Sequence, residues 1–538
     1  MKNCLKCENI DSYLQVLPEV FYFKGEKMEK VIVDGKWLSI EDVVKVARFG
    51  AEVELSQNAI NQINASREVV AEIVKSDKVV YGMNTGYGKF ENVAIEKEDL
   101  DELQLRLILS DCCGVGNPFD KECVRATMLI RVNILAMGCS GVRLSTINTL
   151  VEMLNKGVTP VIREKGSVGS SGDLCPLAHM VMPMLGLGEA EYKGEVMSGK
   201  EAMEKAGIET ISLVSREGLG LINGTTMMTG VAALAVYDSE NLVKAADIIS
   251  SMSIEALTGI IDSYDEKLHK ARLHSGQIDS AENLRRIMAN SKLASRAGEL
   301  RVQDAYSIRC VPQVHGGIRL ALDYVRGVVA TEINAVTDNP LTFTESKEII
   351  SGGNFHGEAI AIAMDTLGIA MAEIADIAER RIARLVDPAL NNGLPAFLIE
   401  DGGLNCGYMI PHYAAAALVS ENKVLAHPAS VDSIPTSAGQ EDHVSFGTIS
   451  ARKARQIIDH SFHVLGIEWL CAAQGADIRG NAENRLGDGT KEAYKLLRKS
   501  VKFCTKDIAF YYDMDKAFDL LTSGEALKVV EQKIGELK

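Results

Sequence analysis

The chain has 538 residues, of which 46% are apolar and 24% are charged, a composition typical of a soluble globular protein with a large core. Its formal charge of −16 argues against a nucleic-acid partner, because binding to phosphates requires a basic face and no lysine or arginine cluster provides one. No uncharged apolar run approaches the ~20 residues that span a bilayer, so we expect no membrane segment.

Residues 1–30 are interpreted as an N-terminal extension. They contain no long apolar stretch followed by a small-residue cleavage site, so we expect no signal peptide and a cytoplasmic protein. The eleven cysteines are odd in number and scattered, which favours reduced thiols over a disulfide framework. Cys4 and Cys7 have the spacing of half a zinc site or of a redox pair. No second such pair or nearby histidine completes a site, so an ordinary leader is favoured.

Residues 31–220 alternate short helical patterns with glycine-rich loops and are predicted to form an N-terminal domain. One loop, Gly166–Leu174, reads GSVGSSGDL and has almost no side-chain bulk. If the Gly172 nitrogen attacks the Ser170 carbonyl, a five-membered ring closes. Loss of water from the ring and from the Ser171 hydroxyl then leaves an exocyclic methylene, an electrophile that no common side chain supplies. A flexible loop is the alternative; a phosphate cradle is disfavoured because no Gly-Lys-Ser/Thr follows.

Residues 221–538 are predicted to form a central helical bundle and a C-terminal helical region. Residues 232–257 and 360–386 carry apolar side chains at i, i+3, i+4 and i+7 with few breakers, which indicates long buried helices. Charged residues such as Asp365, Glu373 and Arg381 interrupt the second stretch and exclude a membrane span. Apolar and polar residues seldom alternate with a period of two, the pattern typical of strands, so we expect a mainly α fold rather than a parallel sheet.

Several segments of the chain resemble the histidine ammonia-lyase branch of the aromatic amino acid lyases, in the order that the family shows them. The resemblance covers roughly residues 30 to 490. It rests on VYGMNTGYG (80–88), GSVGSSGDLCPLAH (166–179), LINGT (221–225), QDAYSIRCVPQV (303–314), TDNPL (337–341), GGNFHGE (352–358) and SENKVLAHPASVDSIPTSAGQEDHVS (420–445).

This resemblance implies a long-helix bundle of the lyase type, with a loop-rich N-terminal part that carries a self-made prosthetic group. The group is 4-methylideneimidazol-5-one (MIO), formed by the family from an Ala-Ser-Gly triad and here matched by Ser170, Ser171 and Gly172. Only the carbonyl of the first residue enters the ring, so serine is an acceptable replacement for alanine. The family's members are homotetramers whose active sites combine loops from several subunits, and the same assembly is expected here.

Removing ammonia across Cα and Cβ requires a base for the weakly acidic β-proton, besides an electrophile. The resemblance places Tyr81 as the proposed base and Tyr306 as a catalytic residue beside the prosthetic group. Substrate-binding positions are implied for Arg309, which can clamp a carboxylate with two parallel hydrogen bonds, and for Asn223, Gln303 and Phe355. Taken alone, each is an ordinary loop amide, core aromatic or packing residue.

Glu441 and Asp111 are the residues that bear on the substrate's ring. The histidine branch places an acid at the position of Glu441, where the phenylalanine and tyrosine lyases usually carry glutamine, and a carboxylate can accept an imidazole N–H. Asp111 stands where histidine enzymes usually have histidine. It offers a second carboxylate, which suits an imidazolium or a ring with two N–H donors. An exposed surface glutamate remains the alternative for Glu441.

The sequence therefore predicts an ammonia-lyase that converts L-histidine to urocanate. The alternatives are a lyase for a modified histidine of the ergothioneine type, which would release trimethylamine, an aminomutase that returns the ammonia to Cβ, and a catalytically silent paralogue. The ten histidines form no ligand motif such as H-E-x-x-H, so neither a metal nor a nucleotide cofactor is expected. The expected partner is a small amino acid.

Overall fold

The computed structural model describes residues 29–76 and 79–538. Cys4, Cys7 and most of the predicted N-terminal extension lie outside these residues. The α-helices are α1 Ile40–Ala47, α2 Gln57–Lys75, α3 Leu100–Asp111, α4 Lys121–Ala136, α5 Leu144–Lys156, α6 Leu174–Val181, α7 Gly199–Ala206, α8 Glu217–Ile222, α9 Thr226–Ala256, α10 Glu266–Lys270, α11 Ser275–Ile287, α12 Tyr306–Arg309, α13 Val311–Ile333, α14 Glu358–Val386, α15 Met409–Leu425, α16 Gly447–Ile478, α17 Ala482–Arg485, α18 Asp488–Ser500, α19 Tyr511–Thr522 and α20 Glu525–Ile534.

The strands are short and pair in four small sheets. They are β1 Val31–Val33, β2 Val53–Leu55, β3 Val115–Pro118, β4 Val158–Pro160, β5 Arg163–Lys165, β6 Glu189–Tyr192, β7 Glu195–Ser198, β8 Leu341–Phe343 and β9 Glu348–Ile350. The pairs are β1–β2 (parallel, Val31 opposite Val53), β3–β5, β4–β6–β7 and β8–β9 (all antiparallel). Short 3-10 helices lie at Gly88–Phe90, Lys97–Asp99, Met182–Leu185, Ile261–Tyr264, Ala396–Leu398 and Ser437–Gly439.

Four long helices, α9, α13, α14 and α16, form the centre of the molecule. Helix α14 packs along α16, and both pack against α9. The predicted stretches 232–257 and 360–386 lie within α9 and α14, so the prediction of long buried helices is confirmed. In the part of the chain that the structure describes, no helix is both long enough and apolar enough to cross a bilayer.

Polar residues inside this apolar core fix how the helices sit against one another. Arg381 on α14 forms a fully buried ion pair with Glu468 on α16 at 2.6 Å, and the Ser253 hydroxyl on α9 donates to the same carboxylate at 2.6 Å. Breaking such a buried pair by removing one partner costs about 3–5 kcal/mol, because a charge is left uncompensated. The three helices are thereby held in one register.

The loops that matter for function gather at one end of this bundle. They precede α6, α9, α14 and α16, and follow α3. Asp173 links three of them. Its backbone N–H donates to Gly224 O at 2.7 Å, and its carboxylate accepts from Met228 N at 2.8 Å, from Ser167 Oγ at 2.8 Å and from Thr448 Oγ1. Burial raises the pKa of Asp173, and these donors act against that rise.

Candidate active site

The Ser170-Ser171-Gly172 segment lies in the loop between β5 and α6. Gly172 has φ +68°, in the left-handed region that favours glycine. A Cβ at this position would lie 2.1 Å from Gly224 O, so the close approach of these two backbones also excludes a side chain. Ser170 and Gly172 are buried while Ser171 is half-buried. The segment is therefore held tightly, with the Ser171 side chain accessible.

The carbonyl oxygen of Ser171 is surrounded by donors. Asn223 Nδ2 donates to it at 3.0 Å and the Gly224 N–H at 3.4 Å. In a cyclised Ser170-Ser171-Gly172 unit this oxygen remains as the ring carbonyl, since the bond to the Gly172 nitrogen is part of the ring. Fixed donors of this kind stabilise negative charge on an oxygen and make the conjugated group more electrophilic. Asn223 thus holds the carbonyl oxygen of Ser171.

Glu441 lies directly against the serine pair. Its carboxylate accepts hydrogen bonds from Ser170 Oγ at 2.5 Å, from Ser171 Oγ at 2.7 Å and from Thr436 Oγ1 at 3.0 Å. The interpretation of Glu441 as an exposed surface residue is therefore not supported, because the side chain is half-buried and fully engaged. Dehydration would remove the Ser171 hydroxyl and so release one carboxylate oxygen, Oε1, for another donor.

Asp111 is the last residue of α3 and faces the same region. Its Oδ1 accepts from Ser110 Oγ at 3.2 Å, whereas its Oδ2 is buried without a hydrogen-bond partner. Burial raises the pKa of Asp111 to about 6, the Ser110 hydroxyl lowers it, and the charge of Glu441 raises it further. The two carboxylates thus interact electrostatically, and an unpaired acceptor beside Glu441 is a place for a ligand's N–H.

Tyr81 lies on the loop before the 3-10 helix at 88–90, with its hydroxyl oxygen accepting from the Gly88 N–H at 3.2 Å. Burial raises the pKa of Tyr81, the Gly88 N–H lowers it, and the charges of Glu91 and Glu441 raise it. A tyrosine that acts as a base needs the opposite shift. The positive charge of Arg216 and the Gly88 N–H both lower the pKa of Tyr81, but they do not offset the effect of burial.

Gln303, Tyr306 and Arg309 lie together but away from the serine loop. Gln303 is exposed on the segment that leads into α12, and Tyr306, the first residue of α12, is 70% exposed. The Arg309 guanidinium carbon lies 4.7 Å from the centre of the Tyr306 ring, and Arg309 Nε is buried without a partner. Within residues 29–76 and 79–538, no hydrogen bond or ion pair connects these three side chains to Ser171, Tyr81 or Glu441.

Phe355 is half-buried in the segment that leads into α14. The segment itself touches the serine loop, because the Gly357 N–H donates to Gly169 O at 3.0 Å, and Ser445 Oγ donates to the same oxygen at 3.0 Å. The structure thus brings together Ser170, Ser171, Gly172, Asn223, Glu441, Asp111 and Tyr81, with Phe355 on an adjoining segment. It does not bring Gln303, Tyr306 and Arg309 to them in one chain.

Comparison with known proteins agrees with this geometry. The sequence model of the aromatic amino acid lyases matches residues 38–499. The chain belongs to the aromatic amino acid lyase family. The resemblance noted from the motifs is thereby confirmed, and so is the helical fold class.

Individual relatives of this lyase are similar over nearly their full length. "Histidine ammonia-lyase 2" of Fusobacterium nucleatum is 61% identical over 513 residues, which are 95% of this chain and 100% of the relative. The crystal structure of histidine ammonia-lyase from Trypanosoma cruzi has a TM-score of 0.87 at 40% identity, covering 94% of this chain and 96% of that one. Tyrosine aminomutase from Streptomyces globisporus has a TM-score of 0.91 at 36% identity, covering 95% and 100%.

The residues of this lyase fit the family's prosthetic group. The position of Gly172 admits no Cβ. Ser170 contributes only its carbonyl group, which serine supplies as well as alanine does. The Ser171 carbonyl oxygen, which would become the ring carbonyl, already accepts two hydrogen bonds. Ser170, Ser171 and Gly172 would form the group, and Asn223 with the Gly224 N–H would hold it. When present, it supplies an electrophilic methylene toward the substrate.

Three residues that the motifs contain were not singled out from sequence. Asp173 fixes the loop to α9 and α16, Thr436 holds Glu441, and the Tyr87 hydroxyl, which accepts from Gln104 Nε2 at 2.9 Å, lies near both Asp111 and Tyr81. Burial raises the pKa of Tyr87 strongly. Asp173 directly follows Gly172, and Tyr87 belongs to the same motif as Tyr81, so their positions in these motifs could have indicated them.

Proposed function

We propose that this lyase eliminates ammonia from L-histidine and releases urocanate. The observation that carries the proposal is the pair of carboxylates at Glu441 and Asp111. The Glu441 carboxylate accepts a hydrogen bond from the Ser171 hydroxyl, which dehydration would remove, and Asp111 has a buried oxygen without a hydrogen-bond partner. An imidazole ring that donates an N–H to each would satisfy both. The 61% identity to a histidine ammonia-lyase over nearly the whole chain supports the same substrate.

In the reaction the Cα–N bond breaks, a proton leaves Cβ, and a double bond forms between the two carbons. Tyr81 is proposed to accept the β-proton as a phenolate and to become the neutral phenol, with the Gly88 N–H stabilising the phenolate before the transfer. Asn223 and the Gly224 N–H hold the Ser171 carbonyl, and Glu441 and Asp111 orient the ring. Phe355 is assigned to the wall of the pocket.

Arg309 is proposed to clamp the substrate carboxylate, with Gln303 and Tyr306 beside it, in a site of a neighbouring copy. Two observations support an assembly of several copies. The segment that carries these residues is exposed together with Leu300 and Val302, which are 66% and 79% exposed. Helix α15 is apolar yet largely exposed, including Tyr413 at 60% and Val424 at 72%. Such surfaces mark protein contacts, and we propose a homotetramer.

We also propose a cytoplasmic location. The described cysteines, such as Cys123, Cys175 and Cys471, are all free thiols, which is the state that a reducing compartment maintains.

An assay that follows urocanate by its ultraviolet absorbance tests the function directly. Wild type should form urocanate from L-histidine, and Ser171→Ala serves as the control for background. Phenylalanine should be a poor substrate by about 30- to 150-fold in kcat/KM, because its ring leaves both carboxylates without a partner, at a cost of about 2–3 kcal/mol. Equal turnover of phenylalanine and histidine would contradict the assignment of Glu441 and Asp111.

The same experiment separates the alternatives. An aminomutase would give β-histidine, detected by chromatography, in place of free ammonia. A lyase for an ergothioneine-type betaine would release trimethylamine from that compound and leave L-histidine untouched. Asp111→His restores the residue common in histidine enzymes, so it should preserve histidine turnover if histidine is the substrate. A silent paralogue would process none of these compounds.

A further inference from the structure

Three potential metal ligands from two distant segments meet beside the active-site loops. One ligand atom from each of His356, Glu358 and His443 lies within 4.8 Å of the other two. His356 and Glu358 stand at the entrance to α14, and His443 lies on the loop before α16. No sequence motif indicates this group, because His443 lies 85 positions from Glu358 and 87 from His356.

The separation of the two histidines has the value that a tetrahedral metal ion requires. His443 Nδ1 and His356 Nε2 are 3.5 Å apart. Zinc–nitrogen bonds of about 2.0–2.1 Å at tetrahedral angles place two ligand nitrogens roughly 3.3–3.4 Å apart. An octahedral ion with bonds of the same length would need roughly 2.9 Å between adjacent ligands. The spacing of the two nitrogens therefore matches a tetrahedral ion, which would replace the 3.3 Å contact between His356 Nε2 and the His443 carbonyl oxygen.

The carboxylate of Glu358 has a free acceptor for the same ion. Its Oε2 is buried and has no hydrogen-bond partner, whereas buried carboxylate oxygens are normally paired. Two imidazoles and one carboxylate form a ligand set that suits zinc and similar divalent ions. Three protein ligands also leave the fourth position of a tetrahedral ion to water.

We propose that His356, Glu358 and His443 bind one divalent cation of the zinc class per chain. Both ligand segments already hold the active-site loops. The Gly357 N–H donates to Gly169 O at 3.0 Å, and Glu441, two residues before His443, accepts from Ser170 and Ser171. The cation joins these segments and fixes the backbone that carries Glu441. It is a structural ion in addition to the self-made prosthetic group and takes no part in breaking the C–N bond.

Zinc binding to the full chain tests the proposal. The chelator-treated protein is dialysed against Zn²⁺, and bound metal is measured by mass spectrometry of the elements. Wild type should hold one more equivalent per chain than His443→Ala or Glu358→Gln. Loss of an outer-shell partner alone costs about 10- to 100-fold in affinity, so removal of a ligand should weaken binding by more than about 100-fold. His274→Ala removes an exposed histidine at the start of α11 and is the matched control.

Three further measurements guard against misfolding and against binding by thiols. Circular dichroism verifies that each variant is folded, and His443→Gln repeats the test with a side chain of similar size. Co²⁺ should give the intense visible bands of a tetrahedral site in wild type and in His274→Ala but not in the ligand variants. Zn²⁺ should also raise the Tm of wild type and of His274→Ala, but not that of the ligand variants. Equal metal content in wild type and His443→Ala, or no bound metal in wild type, overturns the proposal. Since these readouts do not use turnover, they stand whichever amino acid the enzyme processes.

Discussion

The serine loop and the Gln303–Arg309 segment differ sharply in burial and in the hydrogen bonds that they make within one chain. In the loop, Ser170 is 4% exposed and its neighbours are hydrogen-bonded to α9, to α16 and to Glu441. In the other segment, Tyr306 is 70% exposed and Arg309 Nε has no partner. One chain therefore brings Glu441 to the serine pair, whereas Tyr306 and Arg309, which we propose for the substrate carboxylate, make no contact with that pair in the same chain. The difference is what a site shared between subunits requires.

Removal of the Ser171 hydroxyl should have the largest effect. Ser171→Ala cannot form the exocyclic methylene, so turnover should fall by several orders of magnitude. Mass spectrometry of the active-site peptide should show the loss of two waters in wild type. In the variant, the loss of the water that comes from the Ser171 hydroxyl should be absent. A fully active wild-type enzyme whose peptide retains its unmodified mass would refute the prosthetic group.

Mixing two inactive variants tests whether the two regions belong to different chains. Tyr81→Phe removes the base and should lower kcat by about 10²- to 10⁴-fold, and Arg309→Ala removes the clamp and should raise KM strongly. If each site takes Tyr81 from one subunit and Arg309 from another, a randomly mixed oligomer regains activity in roughly a quarter of its sites. Mixing Tyr81→Phe with Ser171→Ala provides the comparison for two residues that we place on one chain. Activity that stays absent in the first mixture contradicts a shared site.

Titration of Asp111 should make the stability of the protein depend on pH. Its pKa rises from 3.8 in the unfolded chain to about 6 in the folded one, so the folded state binds more protons between these values. The free energy of unfolding of wild type therefore falls as the pH rises through this window. Asp111→Asn carries no charge there and escapes this loss, so its stability relative to wild type should improve by on the order of 1–3 kcal/mol between pH 4 and pH 8.

Denaturant unfolding at several pH values measures this difference, with Ser110→Ala as a control that keeps the carboxyl. The groups that act on Asp111 are Ser110 and Glu441, and Tyr87 lies nearby. In the same variant the acid limb of kcat/KM near pH 6 should move. A stability difference that does not change with pH would show that Asp111 does not titrate in this window.

Ser170→Ala should have the smallest effect, because only the carbonyl of this residue enters the ring. The change restores the alanine of the common triad and removes the 2.5 Å hydrogen bond to Glu441 Oε2, while the bond from Thr436 remains. We expect prosthetic-group formation and kcat close to wild type, with a modest rise in KM as Glu441 becomes less fixed. A loss of turnover comparable to that of Ser171→Ala would assign Ser170 a larger role than its carbonyl explains.

The sequence by itself determined the family and the general architecture. Helical spacing in 232–257 and 360–386 predicted the long helices, since an apolar face repeats locally along the chain whatever the rest of the fold does. The Ser171-Gly172 pair and its neighbouring motifs predicted the electrophile, because cyclisation uses residues that are adjacent in sequence. The same motifs nominated Tyr81, Arg309 and Glu441, but as separate points along the chain.

Only the tertiary structure decided how those points combine. Glu441 reaches Ser171 across 270 positions, and Asp173 ties its loop to Thr448 across 275. The unpaired oxygen of Asp111, the raised pKa of Tyr81 and the meeting of His356 with His443 depend on burial and on neighbours from other segments. Such properties arise when distant segments exclude water from one another, and no local pattern in the sequence encodes which segments these will be.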